Sequence, residues 1–494
     1  MGNDGGKVLV TGATGYIGGR LIPLLLERGL QVRAASRSIQ KLKGRPWAHH
    51  PRIELAETDV LNPESLERAC EGCFAAFYLV HSMLPGQKDF RDADRRAALN
   101  MKSAAEKKGL QRMIYLGGLG EEGPSLSKHL KSRAEVGEIL RSGAVPVTLL
   151  RAAMIIGSGS ASFEILRYLV ERLPVMVTPR WLATPSQPIA VRNVLEYLAG
   201  CLERPETAGK TYDIGGPDVL TYHELMKIYA EEAGLRPRLV IPVPVLTPRL
   251  SSYWIHLVTP VPSSIARPLA EGLRNPVVCR ENRIREIIPQ KLLTCREAIR
   301  LALERLKHDD LPSHWTDAGK VTPVETLYEG DPGWAGGTLF EDCRTVSVSA
   351  SAESVWNVLS RIGGETGWYY ANWLWKIRGA MDRLAGGVGL RRGRRSAHEI
   401  LPGDAVDFWR ASAVEPWGRL LLTAEMKLPG KATLEFKISP EDGRGCRLEQ
   451  TARFWPKGLW GILYWFAVAP LHHFIFGGML KAVSQRAEKD SAKS

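Results

Sequence analysis

The 494 residues, 44% hydrophobic and 24% charged, describe an ordinary folded chain and exclude intrinsic disorder, a collagen-like repeat and a disulfide-stapled scaffold. At roughly 100 to 200 residues per domain, this length predicts two or three domains. A net charge of +13 permits contact with anions, whether nucleic acid, membrane headgroups or phosphorylated cofactors, and does not choose among them.

The opening "MGNDGGKVLVTG" runs into a buried-strand pattern with no basic n-region or apolar h-region, which predicts a cytoplasmic chain. Seven scattered cysteines, an odd number, fit reduced thiols better than a disulfide framework. From Lys7 to about Leu150, short apolar runs ("KVLVTG", "QVRAAS", "RIELAETDV", "AAFYLV", "RMIYLGG", "VPVTLLRAA") alternate with amphipathic stretches such as "RLIPLLLERGL" and "LNMKSAAEKKGL". Strands alternating with helices predict an α/β domain, a doubly wound parallel sheet of the Rossmann kind over residues 1–235. Cys70 and Cys73 form a lone CxxC where a helix is expected to give way to a strand, and buried, inert thiols are the expected role.

Residues 236–305 turn Pro-rich and then helical, as expected of a small lid over the carboxyl edge of the sheet. Residues 306–335 lack either periodicity and read as a linker. From 336 to 494 the pattern changes. "CRTVSVSA" alternates like an edge strand, and Ser351 is placed to cap a helix "AESVWNVLSRI" with Glu353 in its first turn. The runs "AVDFWRASAV", "RLLLTAEMKL", "KATLEFKIS" and "CRLEQTARFW" follow without intervening helices, and a long apolar helix closes the chain. This order predicts an α+β helix-grip, a curved antiparallel sheet wrapped around a helix and enclosing a cavity.

A nucleotide site is expected where "KVLVTG" enters "TGATGYIGG". Glycine is needed at the tight turn (Gly12), at the approach to a pyrophosphate (Gly15) and where helix packs on strand (Gly18), and the helix N-terminus then faces the phosphates. Thr14, Tyr16 and Ile17 share that loop and first turn. At the end of the second strand, "AASRS" carries Ser36 and Arg37 and no acid. A guanidinium suits a 2'-phosphate, so NADP (as NADPH) is favoured over NAD. Asp59 and Val60 in "ETDV" are candidate adenine contacts, and Val80 and His81 end the fourth strand in "FYLVHSM".

These residues resemble the short-chain dehydrogenase/reductase superfamily in its extended or atypical, NmrA-like form. The resemblance rests on "VTGATGYIGG", "TDV", Asn100 before "MIYLGG", and "LLRAAMIIG" followed by "PIAVRNV". The C-terminal part, with "VSVSASAESVWNVLSRIGGETGWYYANWLW" and "RFWPKGLWGILYW", resembles the DUF2867 domain, itself similar to START/polyketide-cyclase-like folds, and the pairing resembles a bacterial YbjT-like group. The superfamily implies a Ser after the fifth strand and a Tyr-x-x-x-Lys pair on the next helix. This chain departs from both: Leu116, Gly117 and Gly118 stand where the Ser would fall, and His129 and Arg133 take the Tyr and Lys positions. An imidazole whose ordinary pKa is near ~6.5 can donate a proton at neutral pH, and an arginine can hold a phosphate or a developing anion. His129 is therefore the candidate general acid, Arg133 its companion, and His81 the other candidate.

No metal site is expected, since His49/His50 and His472/His473 are merely adjacent. The basic run "GLRRGRRSAHE" has no aromatic interleaving, so nucleic acid is not an expected partner. "GLWGILYWFAVAPLHHFIFGGML" carries no Lys, Arg, Asp or Glu and leaves three readings open: a buried or pocket-lining helix, a peripheral contact with an anionic membrane, or a span. The leading functional expectation is an NADPH-dependent oxidoreductase acting on an apolar carbonyl, enone or quinone-like substrate. The alternative is a non-catalytic NADPH-binding sensor or scaffold whose C-terminal domain binds a hydrophobic ligand.

Overall fold

The computed structural model describes residues 6–80, 90–120, 128–243, 275–308, 335–387, 399–441 and 445–492, with scattered positions between 258 and 272 and at 389 and 396. His81, the side chain of His129, the arginines of "GLRRGRRSAHE" and most of the 306–335 segment lie outside the described residues. The chain forms two compact units, Met1–Arg305 with Gly319–Gly337, and Leu306–Ala318 with Thr338–Ser494.

In the first unit, the described residues form a seven-stranded parallel sheet from β1 (Lys7–Thr11), β2 (Gln31–Ser36), β3 (Ile53–Glu57), β4 (Cys73–Tyr78), β5 (Arg112–Gly118), β6 (Val147–Ala152) and, after the short strands β7 (Ile155–Ile156), β8 (Val175–Pro179), β9 (Pro185–Ser186) and β10 (Ile189–Ala190), β11 (Thr211–Ile214). Strand order is β11-β6-β5-β4-β1-β2-β3, so the direction of winding reverses between β1 and β4. In open α/β sheets such a switch point, at the carboxyl ends of the strands, is where a ligand crevice is expected.

The apolar runs are continuous because both faces are covered. Val8 and Val10 point to one face, where α1 (Tyr16–Glu27) and α7 (Val191–Glu203) bury Leu21, Leu25, Val194 and Leu198. Leu9 points to the other, where Leu66, Met101 and Val136 come from α3 (Pro63–Cys70), α4 (Phe90–Lys107) and α5 (Lys128–Arg141). The short α2 (Ile39–Lys43) follows β2, with Ser38 accepting from the Lys41 N–H at 3.4 Å as its cap. Cys70 ends α3 and Cys73 starts β4; both are buried free thiols, and burial pushes Cys70 up to about 12.

The described part of the 236–305 region contains β13 (Leu239–Val243), which follows the short β12 (Leu220–Thr221) and pairs with β8, and the helices α9 (Ile284–Ile287) and α10 (Cys295–His308). Ile299 and Ala302 of α10 are buried with Phe163 of α6 (Ala161–Arg172) and Leu225 and Tyr229 of α8 (Tyr222–Glu232).

The second unit holds a separate six-stranded antiparallel sheet in the order β14-β19-β18-β17-β16-β15: β14 (Phe340–Val348), β15 (Ala405–Val406), β16 (Trp409–Glu415), β17 (Arg419–Ala424), β18 (Gly430–Pro440) and β19 (Cys446–Pro456). β14 is an edge strand, as its alternation predicts. The run "AVDFWRASAV" is not one strand. It breaks at Asp407, whose φ is +55° and whose carboxylate accepts from Trp368 Nε1 at 2.9 Å. Ser351 caps α11 (Ala352–Leu359), accepting from the Ser354 N–H at 3.2 Å. A helix that the periodicity analysis did not anticipate, α12 (Asn372–Leu384), precedes β15. The closing helix α13 (Gly458–Ser491) packs on β14, β19 and α11, and buries Phe476, Met479, Leu480 and Val483 among Leu434, Phe436 and Leu448 of the sheet.

Candidate functional site

The chain leaves β1 through Gly12, at φ +71°, where a side chain's Cβ would stand 2.7 Å from the Leu79 carbonyl oxygen. Only glycine accommodates both the left-handed backbone and that approach. Thr11 stitches the same corner: its hydroxyl donates to the Phe77 carbonyl (3.1 Å) and accepts from the Leu79 N–H (3.3 Å). Gly15 donates its N–H to the Gly12 carbonyl at 2.8 Å and stands exposed at the head of α1, which no side chain caps. At Gly18 a Cβ would meet the Gly12 carbonyl oxygen at 2.3 Å, so the first turn of α1 lies directly on the loop. A positive helix end thus opens beside a backbone cradle that any side chain would fill, as an anionic phosphate requires. The cradle fits a dinucleotide.

Two buried guanidiniums flank it. Arg45 donates to the Thr14 carbonyl at 2.7 Å, and Arg20 donates to the Tyr16 carbonyl at 3.1 Å while lying 4.3 Å from the centre of the Tyr16 ring. Both add positive charge beside the loop.

At the end of β2, the Ser36 hydroxyl lies 3.0 Å from the Thr14 hydroxyl and 3.5 Å from the Ser38 N–H, and Arg37 is exposed beside them. Asp59, past the end of β3, is exposed, and its carboxylate accepts from the Leu61 N–H at 3.0 Å. Val60 is buried, with its carbonyl held by Asn100 Nδ2 at 3.1 Å, and Val80 is half-buried past β4. Gly12, Thr14, Gly15 to Gly18, Ser36, Arg37, Asp59, Val60 and Val80 therefore all stand at the carboxyl ends of β1 to β4, on one edge of the sheet.

At the end of β5, a Cβ at Gly118 would come within 2.8 Å of the Leu130 Cδ2, and one at Gly117 within 3.1 Å of the Leu149 Cδ1, both terminal atoms of flexible side chains from α5 and β6. Arg133 reaches back from α5 and donates to the Leu116 carbonyl, with its guanidinium 5.5 Å from the centre of the Tyr115 ring. His129 lies on α5 one turn earlier. Nearby tyrosines do not replace the absent one. The Tyr115 hydroxyl donates to the Arg133 carbonyl at 3.2 Å, and burial pushes the phenols of both Tyr78 and Tyr115 upward.

Beyond the ends of β5, β6 and β11 lies a cavity of about 220 Å³, lined by Leu119, Gly120, Arg151, Asp213, Cys279 and Arg280 together with Pro276 and Val278. Asp213 is buried and organises its wall, accepting from Arg151 Nε at 2.7 Å and from the Arg280 N–H at 2.9 Å. Burial, reinforced by the Asp213 carboxylate, pushes the Cys279 thiol up to about 12, so it stays protonated at neutral pH and is no nucleophile. The sequence reading did not single out these residues, nor Arg20 and Arg45. Arg151 lies inside the quoted stretch "LLRAAMIIG", but nothing local signals that it pairs with Asp213.

Two families match. Residues 12–165 match the family described as NAD(P)H-binding, and residues 334–479 the family described as a protein of unknown function (DUF2867). The chain is 27% identical over 251 residues to the mitochondrial NADH dehydrogenase [ubiquinone] 1 alpha subcomplex subunit 9 of Arabidopsis thaliana, covering 48% of this chain and 60% of that protein. It is 27% identical over 253 residues to the chloroplastic divinyl chlorophyllide a 8-vinyl-reductase of Zea mays, covering 48% of this chain and 62% of that protein. The chain thus spans about 60% of the length of these curated relatives. Among solved structures, a nucleoside-diphosphate-sugar epimerase of Staphylococcus aureus (16% identity, TM-score 0.50) and the triphenylmethane reductase of a Citrobacter species (21% identity, TM-score 0.50) each match 60% of this chain and 99% of their own. At such identities the likeness establishes the fold alone.

Proposed function

We propose that this chain, whose residues 12–165 match an NAD(P)H-binding family and whose residues 334–479 match the DUF2867 family, is an NADPH-dependent reductase of an apolar carbonyl, enone or quinone-like acceptor. One observation carries the reading: the glycine cradle with its buried Arg20 and Arg45 lies on the same sheet edge as the cavity walled by Arg151 and Asp213. A reductase also stands among the relatives.

When bound, NADPH supplies a hydride to the electrophilic carbon of the acceptor. The residues of this chain do the rest. The Gly12–Gly18 cradle and the head of α1 hold the pyrophosphate. Arg37, with Ser36 and without a carboxylate at the end of β2, receives the 2'-phosphate and sets the preference over NADH. Asp59 and Val60 border the adenine. Arg151, fixed by Asp213, presents a cation to the acceptor oxygen as negative charge develops there. His129 returns the proton.

The second reading, an NADPH-binding sensor without turnover, is favoured by one contact: Arg133 is bonded to the Leu116 carbonyl in the place where a lysine would tune an acid. Titration with NADPH and NADH, followed by turnover assays with apolar quinones, enones and ketones, tests both. Binding of NADPH at least tenfold tighter than NADH together with acceptor-dependent NADPH oxidation is the expected result. Tight binding with no oxidation by any acceptor would favour the sensor.

A further inference from the structure

We propose that the C-terminal unit docks on the surface of an anionic lipid bilayer through the outward faces of α12 and the first half of α13. The observation is a stripe of large apolar side chains left in solvent on each helix. On α13, Trp460 is 76% exposed and Phe466 65%, and Leu463, Leu471 and Phe474 continue the row at helical spacing. On α12, Trp373 is 61% and Leu384 90% exposed, with Ile377 and Met381 between them at i+4 and i+8. Single exposed hydrophobics are ordinary on a protein surface; two rows of them on neighbouring helices are not. The core helix of a soluble domain would be mostly buried, whereas only 17% of the most apolar 18-residue window of α13 is buried.

The two helices are held as neighbours at both ends. Near the start of α12, the Tyr370 ring lies 5.2 Å from that of Phe474, and Trp375 lies 6.2 Å from Phe476. Near its end, Arg378 donates to the Lys427 carbonyl (3.3 Å), and Asp382 accepts from the Lys427 N–H (2.6 Å). Two residues on, the Pro429 carbonyl accepts from the Lys457 N–H at 2.8 Å, at the head of α13.

Charge selects a lipid surface over other occupants. No acidic residue occurs between 458 and 487, and the single carboxylate of α12, Asp382, is buried and accepts the N–H groups of Lys427 and Gly389. The exposed charges on α12 are Lys376 and Arg383, and the ties just described gather Arg378, Lys427 and Lys457 beside them. Tryptophan and phenylalanine rows bordered by cations match the headgroup region, where amphipathic rings partition and anionic lipids attract Lys and Arg.

The geometry also separates docking from spanning. The second half of α13 is anchored in the sheet core through Phe476, Met479, Leu480 and Val483. Residues 460–474 supply only about 22 Å of helix, short of the ~30 Å apolar thickness of a bilayer. The helix rests in the interface plane.

The test is co-sedimentation of the full chain with phosphatidylcholine vesicles and with vesicles in which phosphatidylglycerol replaces part of the phosphatidylcholine. Binding to the anionic vesicles, weaker binding to the neutral ones and release by high salt are the expected results. Trp460→Asp with Phe466→Asp should lower partitioning by about tenfold or more per side chain replaced, and Lys376→Glu by about fivefold, on anionic vesicles alone. These side chains are exposed, so the variants should keep the wild-type thermal midpoint and NADPH affinity, which are measured alongside. Three results overturn the proposal: no binding to either vesicle; retention at high salt and high pH until detergent is added, which marks a span; or a dimer, without lipid, that the Asp substitutions dissociate, which marks this face as an interface between copies of the chain.

Discussion

The glycine cradle makes a sharp prediction because two adjacent glycines in one helical turn differ in what lies against them. A Cβ at Gly18 would stand 2.3 Å from the Gly12 carbonyl oxygen, a backbone atom, where ordinary contact begins at 3.4 Å. The first turn of α1 must retreat from the loop by about 1 Å to admit it. A Cβ at Gly19 would stand 3.3 Å from the Ala13 carbonyl oxygen, a misfit of about a tenth of an ångström. Both Gly→Ala changes gain about 1 kcal/mol of helix propensity. At Gly18 a packing cost of about 1 to 3 kcal/mol opposes that gain, and the retreat draws the helix-end amides away from the bound pyrophosphate. Loss of one or two charge-assisted hydrogen bonds corresponds to about a ten- to hundredfold loss of NADPH affinity. Gly19→Ala should change affinity less than about threefold and raise the thermal midpoint. Calorimetric titration with NADPH and thermal melts of both variants provide the comparison. Equal affinities in the two variants would refute the assignment of this loop as the phosphate cradle.

Arg37→Asp should weaken NADPH by about ten- to hundredfold and leave NADH nearly unchanged, as read by parallel titrations, because it sets a carboxylate against the 2'-phosphate. His129→Ala should lower turnover by about two to four decades with NADPH affinity intact, and His129→Tyr should recover part of it; an unchanged rate in the alanine variant removes His129 as the acid. In the C-terminal unit, burial, opposed by Asp342 and reinforced by Arg344, lowers the His472 imidazole to about 4 from an ordinary 6.5. The unfolded chain therefore binds the proton first as pH falls, so stability present above pH ~6.5 is lost between there and pH ~4, roughly 2 kcal/mol of it by pH 5. His472→Phe, which keeps an aromatic ring against Trp465 and Phe476, should flatten the pH dependence of the unfolding midpoint over that range; an identical slope in both proteins would exclude His472 as its source.

What was legible in the sequence was whatever local geometry enforces. β1, the turn at Gly12 and the head of α1 are consecutive, and each glycine answers to an atom within one loop or the adjoining strand end. Six strands of the parallel sheet and most of the antiparallel ones announced themselves by continuous or alternating apolar runs, since one sheet is covered on both faces and β14 is an edge; β11 lay outside those runs. Long-range pairing left no such mark. Arg45 meets Thr14 from 31 residues away, Arg151 meets Asp213 from 62, and Asp213 meets the Arg280 N–H from 67, so each looked like an isolated charge. The break in "AVDFWRASAV" was hidden for the same reason: Asp407 adopts a positive φ while bonded to Trp368, 39 residues earlier. In α13 an apolar stretch without charges did not reveal which face the sheet would cover. The sheet takes the second half and leaves Trp460 and Phe466 outside.

The central claim is hydride transfer from NADPH to an apolar acceptor, and the most direct measurement follows the hydrogen itself. NADPH carrying deuterium on either face of nicotinamide C4 is mixed with the protein and with quinone, enone and ketone acceptors, and the products are weighed by mass spectrometry. The account predicts deuterium in a reduced acceptor from one labelled face only, with the label lost when His129 is replaced by alanine at matched reaction times. Saturating NADPH binding with no labelled product from any acceptor would contradict it.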